Sequence, residues 1–221
     1  GAKVLFDAAH QCGIIAGGAW SNPLDYGAHL MTMSTYKSLG GPAGGLILTN
    51  DAALAQALDA IAFPGMTATF DAAKSAALAV TLLDWRAFGG DYARAMIDLS
   101  QTMAHALDAC GVPVFGKAHG FTRSHQFAVE AATYGGGQAA SKTLRRAGFL
   151  ACGIGLPLPE VAGDMNGLRI GTPELVRWGV TPDHAGVLAD LIAEGLNGNP
   201  EAVAKKASDL RRQFTQLHYM H

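Results

Sequence analysis

One lysine stands between an apolar segment and a glycine-rich turn. Lys37 follows Ser34, Thr35 and Tyr36, and the chain continues as Ser-Leu-Gly-Gly-Pro-Ala-Gly-Gly over residues 38–45. A lysine in water stays protonated, whereas one held beside hydroxyls and closely approaching backbone can lose its proton and form a Schiff base with an aldehyde. The pattern predicts a covalent attachment point at Lys37. The alternative is a glycine loop that only turns the chain and leaves Lys37 in solvent.

An acidic residue and a histidine follow a short apolar segment near the start of the sequence. Residues 4–6 are Val-Leu-Phe and predict a short buried strand, and Asp7 and His10 come at its carboxyl end. Ligands of open α/β sheets bind outside the carboxyl ends of the strands, so both side chains are expected near a cofactor. In the alternative interpretation, Asp7 caps a helix and His10 is a histidine satisfied in the core.

Asp7 and Lys37 together match the needs of pyridoxal phosphate. This cofactor takes a lysine on its aldehyde carbon and a carboxylate on its pyridinium nitrogen. The carboxylate keeps the ring nitrogen protonated, so that the ring can accept electrons from the substrate. The pair therefore predicts a pyridoxal-phosphate site.

Several segments, in order, resemble the pyridoxal-phosphate enzymes of the serine hydroxymethyltransferase family, up to about residue 192. They are Asp-Ala-Ala-His at 7–10, Ser-Thr-Tyr-Lys at 34–37, Gly-Pro at 41–42, Gly-Gly at 44–45, Phe-Pro-Gly at 63–65 and Gly-Leu-Arg-Ile-Gly-Thr-Pro at 167–173. The resemblance implies an aspartate-aminotransferase-like fold and a homodimer with its sites at the interface.

The resemblance also implies roles for further residues. Ser34 and Thr35 are expected to hydrogen-bond near the cofactor, and His10 to lie near the ring and the substrate. Arg169 is expected to hold the carboxylate of an amino-acid substrate through two parallel hydrogen bonds. Alternatively, the two hydroxyls satisfy the backbone of the turn, and Arg169 forms a structural ion pair.

Three departures from the family pattern bear on the reaction. Tyr36 stands where the family usually has histidine, Ala43 stands where it has arginine, and residues 66–70 are Met-Thr-Ala-Thr-Phe instead of glutamine and paired glycines. The resemblance implies cleavage or formation of the Cα–Cβ bond of β-hydroxy amino acids, with tetrahydrofolate as the carrier in serine–glycine hydroxymethyl transfer. The departures leave open a folate-independent aldolase or transaldolase for threonine-like or phenylserine-like substrates.

The sequence enters the first predicted strand directly after Gly1, Ala2 and Lys3. In the resembled family, a long N-terminal segment precedes this point and supplies part of the phosphate cup and the group stacked on the ring. We therefore expect this chain to be the C-terminal part of a longer protein and to bind pyridoxal phosphate weakly or not at all by itself. A truncated family member that serves only as a dimerisation partner is the alternative of another class.

Composition narrows the possible partners. The formal net charge of the 221 residues is −2, which gives no reason to expect nucleic acid or an anionic membrane. Apolar runs are too short to span a bilayer, and the histidines lack the spacing of metal ligands. Cys12, Cys110 and Cys152 are widely spaced and predict free thiols in a reducing compartment. We expect a cytoplasmic enzyme with a small amino-acid substrate and without a metal.

Alternating strands and helices predict an α/β fold with a parallel or mixed sheet. With the resemblance, the expected architecture is the end of the large domain of a fold-type-I pyridoxal-phosphate-dependent transferase, with a mostly parallel sheet, followed by a small C-terminal α/β domain. The large-domain part is expected at residues 1–65, linking helices at 66–110, the small domain at 111–196 and a helical tail at 197–221.

The pattern also predicts individual elements. Strands are expected at 29–34, 45–49, 126–130 and 168–171, and helices at 11–16, 52–62, 71–85, 91–110, 138–147 and 182–196. Asp51 is expected to cap the helix that follows it. Gly89 and Gly90 are expected to separate the two linking helices.

Overall fold

The computed structural model describes residues 1–69 and 71–221, and Phe70, the end of the divergent 66–70 segment, lies outside the described residues. The chain divides into two compact units. Unit 1 comprises Gly1–Arg94 and Tyr219–His221, and unit 2 comprises Ala95–His218. The expected functional division at residues 65, 110 and 196 stays a prediction.

Strands and helices are interspersed along the chain. In order they are β1 (Leu5–Asp7), α1 (Cys12–Ala16), β2 (Leu30–Ser34), β3 (Gly45–Leu48), α2 (Ala52–Ala60), α3 (Ala72–Ala109), β4 (Gln126–Glu130), α4 (Gly137–Arg146), β5 (Cys152–Ile154), β6 (Gly167–Gly171), α5 (Pro173–Arg177), α6 (Ala185–Leu196) and α7 (Pro200–Arg211). The predicted α/β class is therefore confirmed. The short elements β5 and α5 were not predicted.

The sheet of unit 1 has the strand order β1-β2-β3. β1 is parallel to β2, with Asp7 opposite Thr32, and β2 is antiparallel to β3. This sheet is mixed within the described residues. Because β1 and β2 are parallel, the segments that follow Asp7 and Ser34 leave from the same edge of the sheet.

The prediction that the first strand is buried is wrong. Val4 is 51%, Leu5 54% and Phe6 36% exposed. The apolar pattern correctly indicated a strand, but burial also requires other elements over its faces. β1 is an edge strand of this sheet, and the described residues leave its side chains largely uncovered.

A single helix, α3, replaces the two linking helices that were predicted. It continues through Gly89 and Gly90, although glycine inside a helix costs roughly 0.5–1 kcal/mol relative to alanine. Close packing explains Gly89. A Cβ atom on Gly17 would lie 2.4 Å from the Gly89 carbonyl oxygen, and one on Gly89 would lie 2.7 Å from the Trp85 ring. Larger side chains at these positions would hold the Gly17 segment away from α3.

Local capping at α2 confirms one sequence prediction. Asp51 Oδ1 accepts hydrogen bonds from the N–H groups of Ala53, at 2.9 Å, and Leu54, at 3.1 Å. The hydrogen bond from Leu54 is the main reason that the pKa of the Asp51 carboxyl is lowered. The helix then ends before Phe63, whose backbone is extended at φ −147° and ψ 127°.

Unit 2 contains an antiparallel sheet with the order β4-β6-β5. Arg169 lies in the central strand, opposite Ala128 and Cys152. Residues of α6 and α7 and of the segment after α4 form an apolar cluster in this unit, made of Ala147, Leu191, Val203 and Ala207 with Phe149 and Leu210 against it. The predicted tail helix is thus α7, and one of its faces belongs to the core of unit 2.

The thiols of Cys12, Cys110 and Cys152 are free, and Cys12 is buried. Within residues 1–69 and 71–221, no helix has both the length and the apolar character needed to cross a bilayer.

Gly17→Ala is expected to lower the free energy of unfolding of the whole protein by about 1–3 kcal/mol, because the added methyl group would overlap with α3. Chemical denaturation measures the change. Gly186→Ala in α6 is the control, since its added Cβ would meet no atom within 4 Å. The free energy of unfolding of Gly186→Ala should rise by about 0.5–1 kcal/mol. Equal effects of the two substitutions would contradict the packing role of Gly17.

Candidate active site

The carboxylate of Asp7 lies at the exposed edge of the unit 1 sheet. Its Oδ1 accepts hydrogen bonds from the Ala9 N–H at 3.0 Å and from Thr32 Oγ1 at 3.3 Å. α1 has Gln11, not Asp7, at its N-cap, so the alternative of a capping aspartate is excluded. Asp7 is thus oriented by its neighbours and still accessible to a ligand.

Lys37 and His10 meet across two turns. Lys37 Nζ lies 3.2 Å from His10 Nε2, although the residues are 27 positions apart. Both are half-buried. A tight turn holds the lysine: its N–H donates to the Ser34 carbonyl at 3.3 Å, and its carbonyl accepts from the Gly40 N–H at 2.9 Å. Lys37 is therefore a contact partner of an imidazole rather than a lysine left in solvent.

The glycine-rich segment after Lys37 folds back onto Thr35. Thr35 is buried, and its hydroxyl donates to the Pro42 carbonyl. The backbone N–H of Thr35 donates to the Gly44 carbonyl at 3.0 Å, and the backbone carbonyl of Thr35 accepts from the Gly41 N–H at 2.7 Å. These contacts agree with the alternative in which the hydroxyl satisfies the turn. Ser34 ends β2 opposite Gly45. The cofactor contacts of both hydroxyls stay predictions.

Two buried residues that the sequence did not indicate hold the lysine turn. The Ser38 hydroxyl donates to the His10 carbonyl at 2.6 Å, and the Trp85 indole N–H donates to the Leu39 carbonyl at 2.7 Å. The sequence feature that could have indicated Ser38 is a hydroxyl residue directly after Lys37. Nothing in the local pattern could have paired Trp85 with a residue 46 positions away.

Arg169 is half-buried in unit 2, where a buried threonine fixes the turn that follows it. Thr172 Oγ1 lies 2.7 Å from the Met96 carbonyl oxygen and 3.0 Å from that of His125. The structure thus brings Asp7, His10, Ser34, Thr35 and Lys37 together in unit 1 and places Arg169 in unit 2.

A comparison with known families covers most of the chain. The sequence model of the serine hydroxymethyltransferase family matches residues 1–192, which include every candidate residue. The chain belongs to the serine hydroxymethyltransferase family. The resemblance seen in the sequence segments is therefore confirmed.

Two curated relatives are similar to nearly the whole of this chain. The alpha-methylserine aldolase of Ralstonia sp is 61% identical over 222 residues, which cover 100% of this chain and 51% of that protein. The serine hydroxymethyltransferase of Sulfolobus acidocaldarius is 35% identical over 223 residues, which cover 99% of this chain and 52% of that protein. The chain thus spans about half the length of the curated relatives it matches.

A solved structure shows the same fold. The L-threonine transaldolase of Pseudomonas fluorescens, determined in its internal aldimine state, superimposes with a TM-score of 0.88 at 26% identity. The match covers 99% of this chain and 50% of the transaldolase chain. It confirms the expected fold class, an α/β pyridoxal-phosphate-dependent transferase of fold type I.

Among the described residues, no group of three or more histidine, cysteine, aspartate or glutamate side chains is arranged to hold a metal ion.

Proposed function

We propose that the whole protein is a pyridoxal-phosphate-dependent enzyme that breaks or forms the Cα–Cβ bond of β-hydroxy amino acids. The observation that carries this proposal is the contact of 3.2 Å between Lys37 Nζ and His10 Nε2, at the sheet edge where Asp7 also lies. Membership of the serine hydroxymethyltransferase family and the likeness to a transaldolase in its internal aldimine state support it.

The residues present fit pyridoxal phosphate. Lys37 supplies an amine for the aldehyde carbon, and Asp7 supplies an exposed carboxylate for the pyridinium nitrogen. Both come from the same edge because β1 and β2 are parallel. When bound, the cofactor supplies an electron sink for the pair of electrons released at Cα.

His10 controls the proton on Lys37 Nζ. A lysine amine attacks a carbonyl carbon only when it is unprotonated, and an imidazole within hydrogen-bond distance can take up or return that proton near neutral pH. Asp7 keeps the ring nitrogen protonated by offering it a negative charge. Ser34 and Thr35 add hydrogen-bonding groups on the lysine turn.

Arg169 binds the substrate carboxylate. Its guanidinium can donate two parallel hydrogen bonds to the two carboxylate oxygens, which fixes the orientation of the bonds around Cα. The central position of β6 gives Arg169 a rigid backbone on both sides. The substrate is therefore a small amino acid with a free carboxylate.

Two reactions of this class are candidates. The first is hydroxymethyl transfer between serine and glycine with tetrahydrofolate. The second is a folate-independent aldolase reaction, which the departures at Tyr36 and Ala43 and the 61% identity to an alpha-methylserine aldolase support. α-Methylserine carries no hydrogen on Cα, so its conversion into formaldehyde and alanine requires cleavage of the Cα–Cβ bond.

Aldehyde release by the whole protein loaded with pyridoxal phosphate tests the proposal. Formaldehyde from α-methylserine, or acetaldehyde from threonine, is expected without tetrahydrofolate. A requirement for tetrahydrofolate with serine would favour the first candidate instead. Lys37→Ala should abolish release, whereas Lys205→Ala, which removes an exposed lysine of α7, should not. No product from any of these substrates would refute the proposal and favour a non-catalytic dimerisation partner.

Arg169→Lys should raise the KM for the amino acid by roughly tenfold to a hundredfold, because lysine cannot form two parallel hydrogen bonds with one carboxylate. Steady-state kinetics measure the effect. Arg145→Lys on the exposed surface of α4 serves as the control and should leave KM unchanged. An unchanged KM in Arg169→Lys would remove Arg169 from the substrate site.

We also propose that the whole protein is a cytoplasmic homodimer. Exposed apolar side chains in unit 1 support an interface there, and they include Ile61, Phe63, Met66, Val80 and Leu83. Sedimentation equilibrium of the whole protein should give twice the monomer mass, and Leu83→Asp should shift it towards the monomer. A monomeric wild-type protein would contradict the dimer.

A further inference from the structure

Ser38 lies buried behind Lys37 and joins the lysine turn to the segment that carries His10. It is only 3% exposed. Its Oγ donates to the His10 carbonyl at 2.6 Å and accepts from the Gly13 N–H at 2.9 Å. One hydroxyl thus uses its proton and a lone pair to bond both ends of the segment from His10 to Gly13.

Two neighbours of Ser38 indicate that this junction is closely packed. The buried Cys12 Sγ lies 3.4 Å from Ser38 Oγ and 3.4 Å from the Ser34 carbonyl oxygen. A Cβ atom on Gly13 would lie 2.5 Å from the Ser38 carbonyl oxygen, so only glycine allows this approach. The two segments therefore have little room to shift against each other.

The chain geometry connects Ser38 with the Lys37–His10 contact. Ser38 is the residue after Lys37, and its hydroxyl bonds the carbonyl of His10 itself. The side chains of Lys37 and His10 meet 3.2 Å apart. Loss of the hydroxyl would leave the part-buried His10 carbonyl and the buried Gly13 N–H without this partner, and it would weaken the link that holds the two segments together.

We propose that Ser38 is a positioning residue that sets the separation of Lys37 Nζ and His10 Nε2. Its importance for catalysis rests on the proposed function, in which Lys37 is the attachment point and His10 controls its proton. The positioning itself is a property of the protein without a cofactor. The effect of Ser38 can therefore be measured through the reactivity of the Lys37 amine.

The pH dependence of Lys37 acylation tests the proposal. The whole protein, free of cofactor, is labelled with trace acetic anhydride, and the peptide that contains Lys37 is quantified by mass spectrometry. His10→Ala should move the midpoint of the labelling curve because the imidazole is lost. Ser38→Ala should move it in the same direction, because the same contact is weakened. In the double variant, Ser38→Ala should add nothing to His10→Ala, since both act through one contact.

Ser141→Ala is the matched control. The Ser141 hydroxyl is also buried and donates to a carbonyl, that of Ala151, at 2.7 Å, but it lies in unit 2. It should reduce stability without moving the midpoint for Lys37. Ser38→Cys keeps a weak donor and should give an intermediate midpoint, which also provides a variant if Ser38→Ala does not fold. An unmoved midpoint in Ser38→Ala or Ser38→Cys, an equal shift in Ser141→Ala, or additivity with His10→Ala would overturn the proposal.

A second measurement separates this inference from the proposed function. Borohydride reduction of the whole protein loaded with pyridoxal phosphate should fix the cofactor to Lys37, with a shifted pH dependence in Ser38→Ala. Failure to label Lys37 in the wild-type protein would contradict the proposed function. The acylation result would still decide the role of Ser38.

Discussion

The parallel pairing of β1 with β2 determines where the candidate residues of unit 1 lie. Asp7 stands opposite Thr32, and the Ala8 N–H continues the pairing by donating to the Thr32 carbonyl at 2.8 Å. The segments that follow β1 and β2 therefore leave the sheet in the same direction, and their first turns meet. An antiparallel pair would send these turns to opposite edges, and a slip by one residue would turn Asp7 to the other face. Three pairs of residues thus control a site built from segments 27 residues apart.

The fold could be predicted where its causes are local. Asp51 is the cap of α2, and residues 52–60 carry its helical apolar pattern, so the helix was identified correctly. The continuity of α3 could not be predicted from the local pattern, because Gly89 packs against Gly17, which lies 72 residues earlier. Propensity alone favours a break at paired glycines, and a contact between distant segments is not visible in it. The exposure of β1 was missed for a related reason, since an apolar pattern does not state what covers a strand.

The candidate site likewise combines features that could be predicted from the sequence with features that could not. Residue types and their order indicated an amine at Lys37 and a carboxylate at Asp7, because pyridoxal phosphate needs both. The contact of Lys37 with His10 depends on strand register and on two turns, so its distance could not be read from the sequence. Ser38 was missed because its partner is a backbone carbonyl, which every residue possesses and no pattern marks.

The indole of Trp85 gives the lysine turn an optical reporter. Its N–H is bonded to the carbonyl of Leu39, two residues beyond Lys37, and its ring centroid lies 5.4 Å from that of Tyr92. Indole emission depends on hydrogen bonding and on nearby rings, so movement of the turn would change the fluorescence of Trp85. The chain has two other tryptophans, Trp20 and Trp178, and their replacement by phenylalanine would isolate this signal. A chromophore attached at Lys37 would quench it by energy transfer, which would allow cofactor loading to be followed in real time.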